Sequence, residues 1–179
     1  MLPAHRDVTG YHSDPGAGAP RSAPRDIGTV SVHDDGWDLT MNREEALRDY
    51  FQQYARVSLG PEPEKLADFY DTSFLAAGPT GGAAFKNDES FLVWLGKVRA
   101  FNVECEMISM AVDEISETLV GAGYTLVTVT WAATFRRTGD IPIRFRISYL
   151  LRESAANLKV AAYISHEDQE DVMRANGLL

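Results

Sequence analysis

His166 and Tyr54 are the residues of this sequence whose types suit acid–base chemistry. A histidine can take up or release a proton near neutral pH, and a tyrosine hydroxyl can donate a hydrogen bond to a developing oxyanion. His166 is the only histidine beyond residue 39, and it could pair with Tyr54 or with Asp68. It shares the two-residue period of Ala162 and Ile164, so its ring is predicted to face inward if the strand reaches it.

Both residues also have a purely structural interpretation. His166 can occupy the first turn of a final helix, half exposed and capped by Glu167 and Asp168. Tyr54 can be a core tyrosine whose hydroxyl reaches water at the rim. The sequence leaves these alternatives open.

No pattern of metal ligands or cofactor-binding glycines accompanies them. Asp113-Glu114 and the pair Asp68/Asp71 lack the spacing of a metal site. Gly121-Ala-Gly123 lacks the third glycine and the following helix of a dinucleotide fingerprint. We therefore expect neither a metal nor an organic cofactor.

Large aromatic side chains recur on one face of the predicted elements. An apolar cavity with a few polar groups suits a hydrophobic small molecule, and we expect these rings to line or border one such cavity, with His166 near its mouth. The same positions would equally suit simple core residues. They are Tyr50, Tyr54, Trp94, Trp131, Phe145 and Tyr149.

Three helices are predicted to precede the strands. Asn42 with Glu45 forms a capping box at the start of the first, which Gly60-Pro61 ends. A short helix follows, then a short strand near residues 74–77 and a turn-rich loop over residues 78–82. The third helix opens at Asn87 or Asp88 and ends near residue 102.

After residue 102 the apolar period changes from helical to two. Strands are predicted over 103–116, 124–135, 141–151 and 158–164, with Ser165 and Asp168 capping a final helix. Pairing Trp131 with Phe145, and Phe145 with Ile164, puts the large apolar residues of three strands on one face. We expect an antiparallel meander with a continuous apolar face.

Composition limits the partners and the compartment. The formal net charge of -9 disfavours nucleic acid and anionic membranes. Cys105 is the only cysteine, so no intrachain disulfide can form. No secretory signal or bilayer-spanning run is evident, and we expect a cytoplasmic protein. Residues 1–39, rich in proline, glycine and alanine over 13–24, are predicted to be a disordered leader.

The order of elements resembles the nuclear-transport-factor-2-like (SnoaL-like) superfamily, which has a ketosteroid-isomerase-like fold. The segment 66–74, Gly78-Pro-Thr-Gly81 and Trp131 on a central strand carry the resemblance over roughly residues 42–175. It implies an α+β domain over 40–179, with a cone-shaped, strongly curved, mostly antiparallel sheet against three N-terminal helices and a short C-terminal helix. Isomerases, dehydratases, epoxide hydrolases, polyketide cyclases and proteins without a known reaction share this fold.

The isomerases of that superfamily offer a comparison by position. Their oxyanion-binding tyrosine lies sixteen positions before an aromatic residue at the end of the second helix, and Tyr54 lies sixteen before Tyr70. The resemblance therefore implies that Tyr54 is an oxyanion donor.

The acidic residues of those isomerases have no counterpart in this sequence. Their general-base aspartate directly precedes a Pro-x-Gly, where this chain has Gly78 before residues 79–81. Their second acid falls at about Ile147 or Ser148. The comparison leaves one donor and no base, so isomerase activity of that type is not expected.

Two classes of function remain. The first is a small-molecule-binding protein with an apolar pocket, with or without cofactor-free isomerisation, cyclisation, dehydration or hydrolysis of a hydrophobic substrate. The alternative is a non-catalytic ligand-binding or dimerisation module. A second ionisable group meeting His166 or Tyr54 inside the cavity would favour the enzyme.

A homodimer is expected through the face of the sheet opposite the aromatic residues. That face is mixed and moderately apolar, as in two-fold interfaces. The resemblance implies the same surface, since members of the superfamily often dimerise there. Its predicted residues are Thr128, Thr130, Ala132, Arg144, Arg146, Ser148 and Tyr163.

Overall fold

Six strands and four helices make up the described chain. The computed structural model describes the backbone of residues 36–154 and 157–179, and side chains from residue 43 onward. The predicted leader falls outside the described residues as far as residue 35. The elements are α1 (Gly36–Leu59), α2 (Pro63–Ala67), β1 (Tyr70–Gly78), β2 (Gly81–Lys86), α3 (Glu89–Glu104), β3 (Met107–Gly121), β4 (Tyr124–Phe135), β5 (Ile143–Glu153), β6 (Leu158–Ser165) and α4 (Gln169–Ala175).

The strands form one mixed sheet in the order β2-β1-β6-β5-β4-β3. Strands β1 and β6 pair in parallel, and the other neighbours pair antiparallel. The predicted α+β class, the meander β3–β6 and the short C-terminal helix are confirmed. Among the described helices, none is long and apolar enough to cross a bilayer.

The first helix starts earlier than its capping signal suggests. Leu47, Phe51 and Tyr54 are buried along one side of α1, as predicted. The helix begins at Gly36, so Asn42 lies inside it and does not cap it. Residues 37–41 contain no proline or glycine, and nothing in them stops the helix from extending past the capping box.

Two other boundaries also differ from the sequence prediction. The glycine segment 78–82 is a tight β1–β2 hairpin, with Gly78 paired to Gly81, rather than a loop. Its Gly82 is required by space, since a Cβ there would lie 2.9 Å from the Ala77 Cβ. Helix α3 continues to Glu104, and a turn with Glu106 in the left-handed region (φ 56°) delays β3 to Met107.

The register between β4 and β5 is the one that the sequence predicts. Trp131 faces Phe145 and Val129 faces Ile147. All four side chains are buried, at 0–1% exposure. We call the face of the sheet that carries Trp131 the inner face, and the opposite one the outer face.

The predicted register between β5 and β6 is wrong. Leu151 pairs with Val160, but Leu150 pairs with Ala162, so Ala161 is an extra residue that forms a β-bulge. A bulge shifts the alternation of a strand by one residue. Beyond it, Tyr163 pairs with buried Tyr149 and points inward.

The same bulge turns Ile164, an expected core residue, outward and Ser165 inward. Ile164 pairs with Ser148 and is 38% exposed, whereas Ser165 faces inward and is 9% exposed. Ser165 ends β6, and Asp168 alone is the N-cap of α4, accepting from the backbone N–H groups of residues 170 and 171. The predicted row of inward-facing apolar side chains on β6 therefore ends at Val160.

Helix α1 is fixed to the sheet by a polar clamp two turns after its first residue. The Arg43 Nε lies 2.5 Å from a Glu117 carboxylate oxygen, and the guanidinium also binds the Glu153 carboxylate and the Thr125 hydroxyl, the latter at 3.0 Å. Arg43 lowers the pKa of Glu153 by donating hydrogen bonds to its carboxylate. Strands β3, β4 and β5 are thereby tied to α1 through one arginine.

Trp131→Ala tests whether the centre of β4 is close-packed core. Because the ring is 0% exposed, we expect the free energy of unfolding to fall by about 3–5 kcal/mol, measured by urea denaturation. Val93→Ala, at a position that is 59% exposed, is the control and should cost less than about 0.5 kcal/mol. A loss below about 1 kcal/mol for Trp131→Ala would show that the ring borders open space.

Candidate functional site

Four polar aromatic groups meet in the core under α1. The Tyr54 and Tyr70 hydroxyl oxygens are 2.6 Å apart, and the Trp131 indole N–H donates to the Tyr149 hydroxyl at 3.1 Å. Tyr54 comes from α1, Tyr70 from the start of β1, Trp131 from β4 and Tyr149 from β5. We call these residues the tyrosine cluster.

Ring packing holds the cluster together. The Tyr54 ring stacks on Trp131 with centroids 6.1 Å apart, and it meets Tyr149 edge-on at 5.7 Å. Phe51, one helical turn before Tyr54, packs against both Trp131 and Tyr149. The apolar face of α1 thus positions the hydroxyls by fixing the rings that carry them.

The hydroxyls of the cluster are neutral donors. Desolvation raises the pKa of Tyr54 to about 12, although hydrogen bonds to Tyr70 and Tyr149 oppose the rise. Desolvation also holds the pKa values of Tyr70 and Tyr149 well above their usual range, and the charges that act on them belong to other tyrosines. Within the described part of the chain, no carboxylate or histidine hydrogen-bonds to these three hydroxyls.

Four of the predicted pocket residues are fully packed. Tyr54 is 3% exposed, Phe145 1%, and Trp131 and Tyr149 0%. A side chain with almost no contact with solvent is surrounded by protein atoms and not by open space. The structure brings Tyr54, Trp131 and Tyr149 together, and it shows them ring against ring.

Tyr50 and Trp94 lie at the margins of this core. Tyr50 is half-buried, meets Phe51 edge-on with ring centroids 5.1 Å apart, and its hydroxyl is 3.4 Å from the Phe69 carbonyl oxygen. Trp94 is also half-buried and belongs to a second aromatic group, stacked on Phe91 at 5.9 Å. Trp94 therefore does not join the tyrosine cluster directly.

His166 does not face inward, because β6 ends at Ser165 and does not reach it. Its ring is exposed, and its Nε2 is 2.8 Å from the Ser148 hydroxyl, which is in turn 2.7 Å from the Thr128 hydroxyl. Thr128 and Ser148 are paired residues of the outer face. The β-bulge at Ala161 is the physical cause, because it reverses the side of the sheet to which β6 delivers its last residues.

Two tyrosines of this core have contacts that the sequence does not predict. The Tyr70 hydroxyl, sixteen residues beyond Tyr54, is the hydrogen-bond partner of the Tyr54 hydroxyl. The sequence predicts Tyr163 on the outer face, but it is buried and meets Tyr149 with ring centroids 5.6 Å apart. The spacing could have suggested the first contact, whereas no sequence signal marks the bulge that causes the second.

Potential metal ligands do not converge in the part of the chain that the structure describes. No group of three or more histidine, cysteine, aspartate or glutamate side chains there could hold an ion. Asp71, one of the carboxylates considered above, is engaged by the Arg152 guanidinium, which lowers the Asp71 pKa.

Comparison with solved structures shows the same fold in proteins of low sequence identity. An NTF2-like protein with a cystatin-like fold from Novosphingobium aromaticivorans is 13% identical, with a TM-score of 0.57, and the match covers 79% of this chain and 91% of that one. A putative scytalone dehydratase from the same organism is 13% identical, with a TM-score of 0.54 and coverages of 72% and 85%. A cystatin-like domain of unknown function from Nostoc punctiforme is 12% identical, with a TM-score of 0.53 and coverages of 75% and 83%.

Comparison by sequence identifies the family. The curated proteins give no match. The model of a family described as "NTF2-like protein (DUF6841)" matches residues 42–168, which is more than half of the chain and includes every residue of the tyrosine cluster. The chain belongs to this NTF2-like family.

Proposed function

We propose that this chain is a non-catalytic NTF2-like module that self-associates through the outer face of its sheet. The observation that carries the proposal is that the outer face includes the exposed apolar residues Leu75 and Ile164. The interior, in contrast, is filled by buried rings that satisfy one another.

The outer face combines apolar side chains with a row of hydroxyls. Leu75 on β1 is 43% exposed and Ile164 on β6 is 38% exposed. Between them and the β3 edge, Thr128 and Ser148 bond to each other, and Thr130 is half-buried. Such a mixed surface is typical of homodimer contacts.

Charges of both signs alternate on the same face. The Arg144 guanidinium lies 2.7 Å from an Asp113 carboxylate oxygen, and that of Arg146 lies 3.7 Å from Glu167. In a two-fold interface each residue meets a residue of the same surface. A second copy can therefore place its acidic groups against these arginines.

The size of the face suits a dimer. Six strands of 6 to 15 residues, about ten on average, spaced about 4.8 Å apart, give a surface of roughly 24 by 34 Å. Stable interfaces need roughly 800 Å² from each partner. The outer face is therefore large enough for a stable contact with a second copy of the chain.

Ile164→Asp tests the proposed interface. A buried, unpaired carboxylate at a two-fold contact is costly, so we expect the dissociation constant of the dimer to rise at least about tenfold. Light scattering over a micromolar concentration series measures it. Val93→Asp, on α3 and also at an exposed position (59% for Val93, 38% for Ile164), is the control and should leave the dimer unchanged.

Two results would contradict self-association through this face. One is a monomer mass for the natural sequence throughout that series. The other is equal weakening by Ile164→Asp and Val93→Asp. Thr130→Arg, which inserts a long cation at the centre of the face, gives a second and independent variant.

A second candidate is binding of a hydrophobic small molecule at the tyrosine cluster. The specific observation in its favour is that the hydroxyls of Tyr54, Tyr70 and Tyr149 converge in an otherwise apolar core. A ligand carrying one polar oxygen could replace the hydrogen bond that Tyr54 and Tyr70 make to each other. It would have to separate packed rings to enter, and catalysis would need a base that the cluster does not contain.

Tyr54→Phe tests this candidate with 2-naphthol, a neutral aromatic alcohol, as the probe. If the hydroxyl holds the ligand, we expect its affinity to fall about tenfold, since a net hydrogen bond contributes about 0.5–1.5 kcal/mol. Titration calorimetry measures binding, and Tyr124→Phe, at an exposed position, is the control. No binding of 2-naphthol to the natural sequence, or equal affinity in Tyr54→Phe, counts against a site at Tyr54.

The protonation state of the cluster gives a separate prediction. Folding raises the pKa of Tyr54 above the value of about 10 for an unfolded tyrosine, so the neutral form stabilises the folded chain. That contribution is complete below about pH 10 and is lost as the pH rises through the folded-state pKa of about 12. We expect the free energy of unfolding to fall over this interval, with phenolate absorbance and unfolding appearing together, and less steeply in Tyr54→Phe.

A further inference from the structure

Two buried amide side chains have atoms without a hydrogen-bond partner in the part of the chain that the structure describes. They are Asn102, at its Oδ1 atom, and Gln169, at both Oε1 and Nε2. Each residue is 5% exposed. An amide that is removed from water without a partner is costly, and native proteins rarely keep one without a reason. These atoms therefore mark a place where a polar group of another molecule can bind.

Both amides occupy positions where helical periodicity favours an apolar side chain. Asn102 lies four residues after Val98 and continues the buried stripe of α3. Gln169 is the first residue of α4 and lies one turn before Met173, which is fully buried. Each amide therefore faces the core from the buried side of its helix.

The register of the strands puts the two amides at the same end of the sheet. Met107, the first residue of β3, pairs with Phe135, the last residue of β4. Ser165, the last residue of β6, pairs with Ile147 near the start of β5. The turn over residues 136–142 joins β4 to β5 at this end. Because α3 leads into β3 and α4 follows β6, both helices meet the sheet here.

One arginine of that turn connects the two regions. The Arg137 Nε lies 3.5 Å from a carboxylate oxygen of Glu106, which stands one turn after Asn102. The same guanidinium donates to the Leu178 carbonyl oxygen at 3.2 Å, just beyond α4. The end of α3 and the segment that contains Gln169 are thus held around a single side chain.

The unpartnered atoms define the chemistry of a matching ligand. The Oδ1 and Oε1 atoms accept hydrogen bonds, and the Nε2 group donates them. A primary carboxamide has two N–H donors and one carbonyl oxygen, so it can exchange a pair of hydrogen bonds with Gln169 and donate its second N–H to Asn102. A carboxylate has no donor, and a buried anion would be costly.

We propose that Gln169 and Asn102 bind the primary carboxamide group of an apolar molecule, at the end of the core that α4 covers. Cys105, Met173 and Leu178 belong to the apolar core of the chain and suit the apolar part of such a molecule. This site is separate from the tyrosine cluster and from the outer face.

Entry to the site requires movement of α4. This helix has seven residues, fewer than an isolated helix needs for stability. Local opening of such a short element exposes Gln169 without unfolding the sheet.

Benzamide is the probe that tests the proposal, and acetophenone is its matched control. Acetophenone has the same ring and carbonyl oxygen, but a methyl group replaces the NH2 group. Titration calorimetry on the full chain should detect benzamide, and acetophenone should bind at least about tenfold more weakly because it cannot donate to Oε1 and Oδ1.

Variants of the chain locate the bound benzamide. Gln169→Met keeps an unbranched side chain of similar length but removes the amide, and we expect the affinity to fall at least about tenfold. Asn102→Leu removes one hydrogen bond and should weaken binding about three- to tenfold. Gln53→Met, at an exposed position of α1, is the control and should bind benzamide as the natural sequence does.

Three results would overturn the carboxamide site. One is the absence of benzamide binding to the natural sequence at millimolar concentrations, and another is equal affinity for acetophenone. The third is unchanged affinity in Gln169→Met, and a loss in Tyr54→Phe would then assign benzamide to the tyrosine cluster. If thermal unfolding shows that Gln169→Met does not fold, the acetophenone comparison on the natural sequence still decides.

Discussion

The continuous pairing of β4 with β5 is the constraint on which the rest of the structure depends. From Tyr124 opposite Arg152 to Ala133 opposite Ile143 it runs without a register shift. The buried rings of the two strands, Trp131, Phe135, Phe145 and Tyr149, therefore lie on one face, and α1 can cover that face with the buried side of the helix that includes Tyr54. The hydrogen bond from Trp131 to Tyr149 joins the two strands again in the core, where an unpaired indole N–H or phenol would be costly.

The sequence predicted best the helices and strands whose apolar residues follow a single period along their whole length. Strand β4 alternates along its whole length, and its predicted bounds, 124–135, are those of the structure. The helical stripe of α1 and the Asp88 cap of α3 were likewise legible, because each depends on residues within a few positions of one another. The resemblance to the NTF2-like superfamily is confirmed on the same basis, since it rests on the order of these elements.

The sequence predictions fail where contacts with residues distant in the chain determine the local structure. The alternation of β6 gives no sign that Ala161 is an extra residue, because the reason for it is the fit of β6 between β5 and β1. That single bulge moved Tyr163 into the core and His166 to the outer face, and it removed the histidine from the candidate site. The capping box at Asn42 failed differently. Asn42 and Glu45 are of the right types for a cap. Residues 37–41, however, contain nothing that stops the helix, so it extends to Gly36.

The bulge also determines which changes the last strand tolerates. Ala161 is the residue that has no partner on β5, since Val160 and Ala162 pair with the adjacent residues Leu151 and Leu150. Removing it would make this ladder regular and would leave Tyr163 inside and Ile164 outside. Inserting one residue between Ala162 and Tyr163 would instead exchange the faces of the residues that follow, so this part of β6 tolerates a shorter chain better than a longer one.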